Sequence, residues 1–430
     1  MKYTRKIINT LHSEPAFESA VYDAIPMGDQ NDLPFLALEA YELLNEVNTQ
    51  LDEAKVMEDK AERGEVLVDF VDQEIAGEDR IATQNELALI EQATDAVVDG
   101  TGETVETVIP SLESFLLTDK KHIALEGMTE TISNFVKAGA NLVSGAKESF
   151  KKFIKSLFSR LEALKNKVES IESKLGDAEF KPSVNVTASQ SIPAAWNENT
   201  FVTDFSKAVA GFEKIADKTT ELSGPFAAKI LTKHNEFVKN VVDTFKNARG
   251  RADEKVTARK EIGGKILSNM DQLNALLEST FKDGKSYGGL YTEFDSKYQK
   301  SEDIIAASKS LVESVPDVYR AGNVDERPLE MTNFTKENAR RLCQTIKRNI
   351  NSLSKTKETD TMWAVDWLTD ADFDVIELIF QGVSSTQFIS AVNRVNRTYV
   401  SAYTRPLGAY INHFFRVAEA QLNLVNKAIK

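Results

Sequence analysis

The sequence predicts a mainly α protein, an elongated helical bundle built round one long heptad-patterned helix, with at most one small strand near residues 184–190. Three observations carry this. Apolar residues recur at helical spacing along most of the 430 residues. In residues 131–175 the recurrence tightens to alternating steps of three and four. Only SVNVTAS, at 183–189, alternates with the period of two that suits a strand.

The elements follow in order. Residues 1–34 contain Pro15, Pro26 and Pro34 with little periodicity, and read as an irregular lead. Residues 35–98 read as helical, with Leu36, Leu38, Tyr41, Leu43, Leu44 and Val47 as an apolar stripe between acidic faces. Gly100, Gly102 and Pro110 break that pattern. Next come Val136, Ala140, Val143, Phe150, Ile154, Leu157, Leu161, Leu164, Val168, Ile171 and Leu175, interrupted only by Lys147. A helix satisfies a sustained 3.5-residue repeat by burying one seam against a partner helix. Phe150, Ile154, Leu157, Leu161, Leu164, Val168, Ile171 and Leu175 are the predicted packing seam, and Gly176 is the predicted stop. Residues 177–199, bracketed by Pro182 and Pro193, read as a linker.

From residue 200 the helical reading resumes. Thr200 or Thr203 caps one helix, and Ser223 with Pro225 opens the next. A third spans 252–281 through Ile262, Ile266, Leu267, Met270, Leu273 and Leu277. After the turn DGKSYGG, helices are predicted at about 292–314 and 334–355, a short one inside 361–382 with Thr369 and Asp372 in cap-like spacing, and a last one from Ser385 to Ala428 kinked at Pro406. The chain divides into an acidic helical lead (1–130), the heptad helix (131–176), the linker (177–199) and a C-terminal α-helical domain (200–430).

Charge supports that division. The chain has 52 Lys and Arg against 66 Asp and Glu, a net of −14. Residues 1–130 have 9 basic and 29 acidic residues, a net of −20, and the remainder has 43 and 37, a net of +6. An acidic segment of this size can cover basic surface on its own chain and repels nucleic acid; the remainder alone is compatible with packed DNA. One cysteine excludes a disulfide framework. The basic start MKYTRK lacks the apolar run of an export signal, and no stretch of about 18 apolar residues suits a membrane span. The expectation is a soluble protein from a reducing compartment.

Catalytic motifs are not assembled. Gly284-Lys285-Ser286 resembles the end of a phosphate loop, but Ser279 stands where the pattern needs glycine, and the segment reads as a turn. His12, His122, His234 and His413 have no Cys or His at ligand spacing and read as structural residues, so no metal or cofactor is predicted. Cys343 reads as an inert thiol on a helix. Two basic features stand out. Lys151, Lys152, Lys155 and Arg160 lie on the heptad helix, and Arg394, Arg397, Arg405 and Arg416 lie among Tyr399, Tyr403, Tyr410, Phe414 and Phe415. The primary reading is a bundle helix with a solvated face in the first case and a core aromatic stripe in the second. The sharper reading takes Lys151, Lys152, Lys155, Arg160, Arg394 and Arg397 as contacts to DNA phosphates.

Small residue–x–Glu tripeptides end at Glu18, Glu39, Glu113 and Glu126, the last two where the charge changes sign. An acidic helical lead with such sites, ahead of a near-neutral helical body without catalytic motifs, resembles the internal head or prohead-core proteins of large tailed bacteriophages. The resemblance implies a non-enzymatic virion protein, made in the host cytoplasm, assembled in the prohead, trimmed after Glu18, Glu39, Glu113 or Glu126, and packaged inside the capsid with DNA. Its partners would be itself or other virion proteins through helices, and DNA by diffuse charge. An alternative is a cytoplasmic coiled-coil scaffold or adaptor that associates through the heptad seam. The remaining alternative is a pore-forming-type protein inserting TETISNFVKAGANLVSGAKESFKKFIKSLF, which its lysines make costly.

Overall fold

A computed structural model describes residues 33–76, 82–100, 104–109, 121–197, 200–247, 252–282, 286–287, 290–320, 327–355, 363 and 383–430. The elements are α1 (Leu33–Phe70), a π-helical turn (Val71–Ala76), α2 (Gln84–Val98), α3 (Val105–Val108), α4 (Lys121–Lys174), β1 (Ser183–Val186), α5 (Ala188–Ala195), β2 (Trp196–Asn197), β3 (Thr200–Phe201), α6 (Phe205–Glu221), a second π-helical turn (Leu222–Phe226), α7 (Ala227–Asn247), α8 (Ala252–Phe281), β4 (Ser286–Tyr287), β5 (Leu290–Glu293), α9 (Ile304–Val312), β6 (Asp317–Arg320), β7 (Leu329–Thr332), α10 (Lys336–Leu353) and α11 (Val383–Ala428). The fold is mainly α.

Its centre is a sheaf of the three longest helices. Every residue of α11 from Phe388 to Thr404 is buried, so this stretch is enclosed on all sides; α4, α1, α9, α6, α5 and α7 pack on α11. Polar contacts give the directions. Residues 160, 167 and 174 of α4 meet 412, 419 and 426 of α11, so these two helices run parallel with a rung every seven residues. Residues 52, 58 and 62 of α1 meet 405, 397 and 394 of α11, so α1 runs antiparallel. Small residues bring α1 close to both partners. A Cβ on Gly408 would stand 2.5 Å from Leu44, and one on Gly64 would stand 2.7 Å from Ile132. All eight predicted seam residues of α4 are buried.

Local chemistry explains several boundaries. The apolar pattern of 35–98 is interrupted after Phe70, and α2 starts afresh with a capping box in which the Thr83 hydroxyl accepts from the Glu86 N–H and Glu86 bonds the Thr83 N–H in return. The cap of α6 is Asp204 instead of Thr200 or Thr203; its carboxylate accepts from the Ser206 and Lys207 N–H groups, while the Thr203 carbonyl accepts from Thr332 N–H. Ser223 and Pro225 do not open a new helix. They sit in the π turn that joins α6 to α7, where Pro225, lacking an N–H, is accommodated by a widened turn. The helix expected at 292–314 is only α9, since Leu290–Glu293 pairs as a strand with Asp317–Arg320. Pro406 lies inside α11 without ending it.

Strands exceed the one expected. β1 forms within the alternating segment and pairs antiparallel with β7, Ser183 opposite Thr332 and Val186 opposite Leu329. β2 pairs with β3, and β4, β5 and β6 form a three-stranded sheet. The extra strands are two to four residues long, too short for alternation to declare itself. Within 177–197, Val184, Val186, Ala194 and Ala195 are buried, and the chain end bonds back to this segment through Lys181 N–H to Ala428 O, 2.8 Å, and Lys430 N–H to Glu179 O, 3.0 Å. The short helix expected in 361–382 lies outside the described residues apart from Trp363, as does the lead before residue 33.

Candidate functional site

The densest buried polar chemistry lies between α1 and α11. Arg394 and Arg397 are three residues apart and share one face of α11. Opposite them, Glu58, Glu62, Glu65 and Asp69 form one stripe of α1. On an isolated helix such like charges repel, and here the facing arginines compensate them. Arg397 forks onto Glu58, with Nε and Nη2 at 3.0 and 2.7 Å from Oε2. Arg394 Nη2 reaches Glu62 at 3.3 Å and Nη1 donates to Ser308 Oγ at 3.1 Å. Lys309 also pairs with Glu62, and Arg405 with Asp52. Ser390 Oγ donates to Glu65 and Gln387 Nε2 to Asp69, each at 3.4 Å. The side chains of Glu58, Arg394 and Arg397 are 4%, 6% and 7% exposed. Burial pushes the Glu65 carboxyl up to about 8, against the pull of the Arg394 charge.

The contact between α4 and α11 is mostly apolar with polar rungs. Lys147, the break in the heptad series, is buried; its Nζ is 3.5 Å from Asn396 Oδ1 and 5.9 Å from the Trp363 ring centre. His234 Nε2 donates to the same Asn396 oxygen at 2.8 Å. Burial, helped by the Lys147 charge, holds this imidazole well below its ordinary pKa, so it stays neutral. Trp363, at φ 54°, packs edge-on to Phe150 and Tyr403. Arg160 donates to Asn412 at 2.7 Å and lies 4.1 Å over the Phe415 ring. Between the first rung and this one, α4 advances from 147 to 160 and α11 from 396 to 412, three residues more. Pro406 lies in that longer stretch, and the offset is the size of a heptad stammer.

The expected phosphate contacts separate into two groups. Lys152 and Lys155 are exposed, and Lys151 is half-buried beside Glu148 at 2.7 Å. Arg160, Arg394 and Arg397 are not available to DNA. They are buried and engaged by Asn412, Glu62 and Glu58, because the acidic face of α1 and the polar residues of α11 compensate them inside the chain. Of the expected cleavage positions, Glu39 and Glu126 are exposed in the second turns of α1 and α4, and Glu18 and Glu113 lie outside the described residues. Tyr399, Tyr403, Tyr410 and Phe414 are core residues. Cys343 is buried, with its thiol pushed up to about 12. Gly284 and Lys285 lie outside the described residues. Among the described residues no group of His, Cys, Asp or Glu is placed to hold a metal ion, and no helix is long and apolar enough to cross a membrane.

Glu58, Glu65 and Ser390 were not singled out by the sequence reading. The available signal was their spacing, a stripe of carboxylates facing two arginines three apart, but carboxylates are so dense in the first third that no single position stood out.

No curated protein and no solved structure matches the chain. A family model described as phiKZ-like phage internal head proteins matches residues 38–427, a span that holds all of α4 and all but the ends of α1 and α11. The chain therefore belongs to the phiKZ-like phage internal head protein family and is a structural protein located inside the phage capsid.

Proposed function

We propose that the protein is assembled in the prohead with other virion proteins, loses its lead to a prohead protease, and is packaged as a rigid helical body beside the DNA. The observation that carries this reading is where the family match begins. Residue 38 falls within Ala37-Leu38-Glu39, so a cut after Glu39 removes only two residues of the shared body. A cut after Glu18 would leave the same body. Glu113 and Glu126 satisfy the same tripeptide rule, but cuts there fall deep inside the matched span.

Contact with DNA is diffuse and weak in this reading. Lys151, Lys152 and Lys155 supply cations on α4, while the net charge of the chain remains acidic. Few phosphates are neutralised, so binding has a shallow salt dependence and no sequence preference. No enzymatic step is required. Mass spectrometry of the protein from purified particles tests the trimming: the expected first residue is Ser19 or Ala40. An intact Met1 sinks the trimming, and a start at Ser114 or Gly127 shows that the chain is also cut after the acidic helices.

A further inference from the structure

We propose that α1 is a permanent wall of the body, retained without its covalent link, so that a cut between α1 and α4 nicks the protein and releases nothing. The biological relevance of such cuts rests on the trimming reading above; the retention of α1 rests on geometry alone.

α1 has 38 residues and lies antiparallel to both α4 and α11. Its Ala40, Val47, Leu51, Ala54, Ala61 and Val68 are at most 2% exposed. Burial of this extent along 38 residues is what a helix needs to stay docked in a groove without a tether. Gly408 receives Leu44 and Gly64 receives Ile132 at distances that leave no room for a side chain, so the groove is shaped to this helix. Departure of α1 would also separate Arg397 from Glu58 and Arg394 from Glu62, breaking the ion pairs that bind this face of α11.

The consequence concerns charge. Residues 1–39 have 3 Lys and Arg against 6 Asp and Glu, so trimming there removes a net of only −3. The bulk of the −20 lies between 40 and 130, and a nick at Glu113 or Glu126 leaves α1 and its share of that charge in place. The mature body stays acidic and does not become the basic particle that the charge split alone suggests.

The experiment inserts a site-specific protease sequence directly after Glu113 in the full chain, cuts the folded protein, and runs it through gel filtration with mass detection. The expected result is co-elution of both fragments at the mass of the uncut protein, with separation only in denaturant. Elution of the N-terminal fragment alone in native buffer overturns the proposal. Gly408→Leu, which drives a side chain into Leu44, is expected to raise release after cutting at least tenfold, whereas Lys152→Ala leaves it unchanged. Where Gly408→Leu does not accumulate, Arg405→Glu against Asp52 is read in its place. Retention equal to wild type in both variants overturns the role of the α1–α11 contact. The engineered cut does not depend on the phage protease. A released fragment therefore rejects retention and leaves trimming standing, and an intact Met1 in particles does the reverse.

Discussion

Toward α4, the C-terminal helix meets the apolar heptad seam; the charges that enter it, Lys147 and Arg160, face neutral asparagines, and the ion pair of Lys167 with Glu419 stands on the flank at 27% and 30% exposed. Toward α1, the same helix meets carboxylates, and the pairs are interior, Arg397 on Glu58 and Arg394 on Glu62. Apolar contact rewards burial with little regard for register, since one leucine serves nearly as well as another. A buried ion pair punishes misregister, because a displaced partner leaves a charge without water or counter-ion. The seam thus contributes adhesion, and the charged face dictates which residues of α1 lie beside which residues of α11.

The largest test of that difference is Arg397→Ala. It leaves Glu58 buried beside a gap, and a loss of about 3–5 kcal/mol is expected in urea denaturation. Replacing both residues, Arg397→Met with Glu58→Leu, removes the stranded charge and is expected to recover most of the loss. A double variant as unstable as the single one means that the pair acts through direct attraction rather than through the burial of an unmatched partner.

A second test uses pH. Glu65 shares its pocket with Arg394, Glu62, Asp69 and Ser390, and its carboxyl is raised to about 8 from an ordinary 4.5. Between those values the folded state holds a proton that the unfolded chain releases. Stability from this group is therefore full below pH 4.5 and is lost as pH rises through 8. A fall of about 3 kcal/mol between pH 5 and pH 8 is expected relative to Glu65→Gln, in which this slope is absent. Parallel pH profiles for the two proteins would remove Glu65 from the account.

Legibility differed between the two faces for a physical reason. The seam was readable because a 3.5-residue repeat needs no knowledge of the partner: Phe150 to Leu175 reads as one stripe whichever helix covers it. The charged face was not readable, because Glu58 differs from its acidic neighbours only by standing opposite Arg397, 339 residues away. For the same reason Arg394 and Arg397 resembled a phosphate surface: with their carboxylates unplaced, they read as free cations. The short strands escaped through length, and the π turn at Pro225 escaped because a helix start and a widened turn place the same residues in the same order.

The smallest expected effect belongs to the flanking rungs, and its size separates adhesion from register most cleanly. Lys167 and Glu419 are 3.4 Å apart but remain partly in water, where an ion pair returns about 0.2–1 kcal/mol and is screened by salt. Lys167→Ala is therefore expected to cost under about 1 kcal/mol, and less again in 1 M salt. Lys174 donates to the neutral oxygen of Asn426 at 2.8 Å, so Lys174→Ala has an equally small cost with little salt dependence. The Arg397→Ala loss should persist in salt, because ions do not reach a pair that is almost fully buried. If Lys167→Ala cost as much as Arg397→Ala, the rungs would fix register along α4 as strongly as the buried pairs do along α1, and the two faces of α11 would share one chemistry.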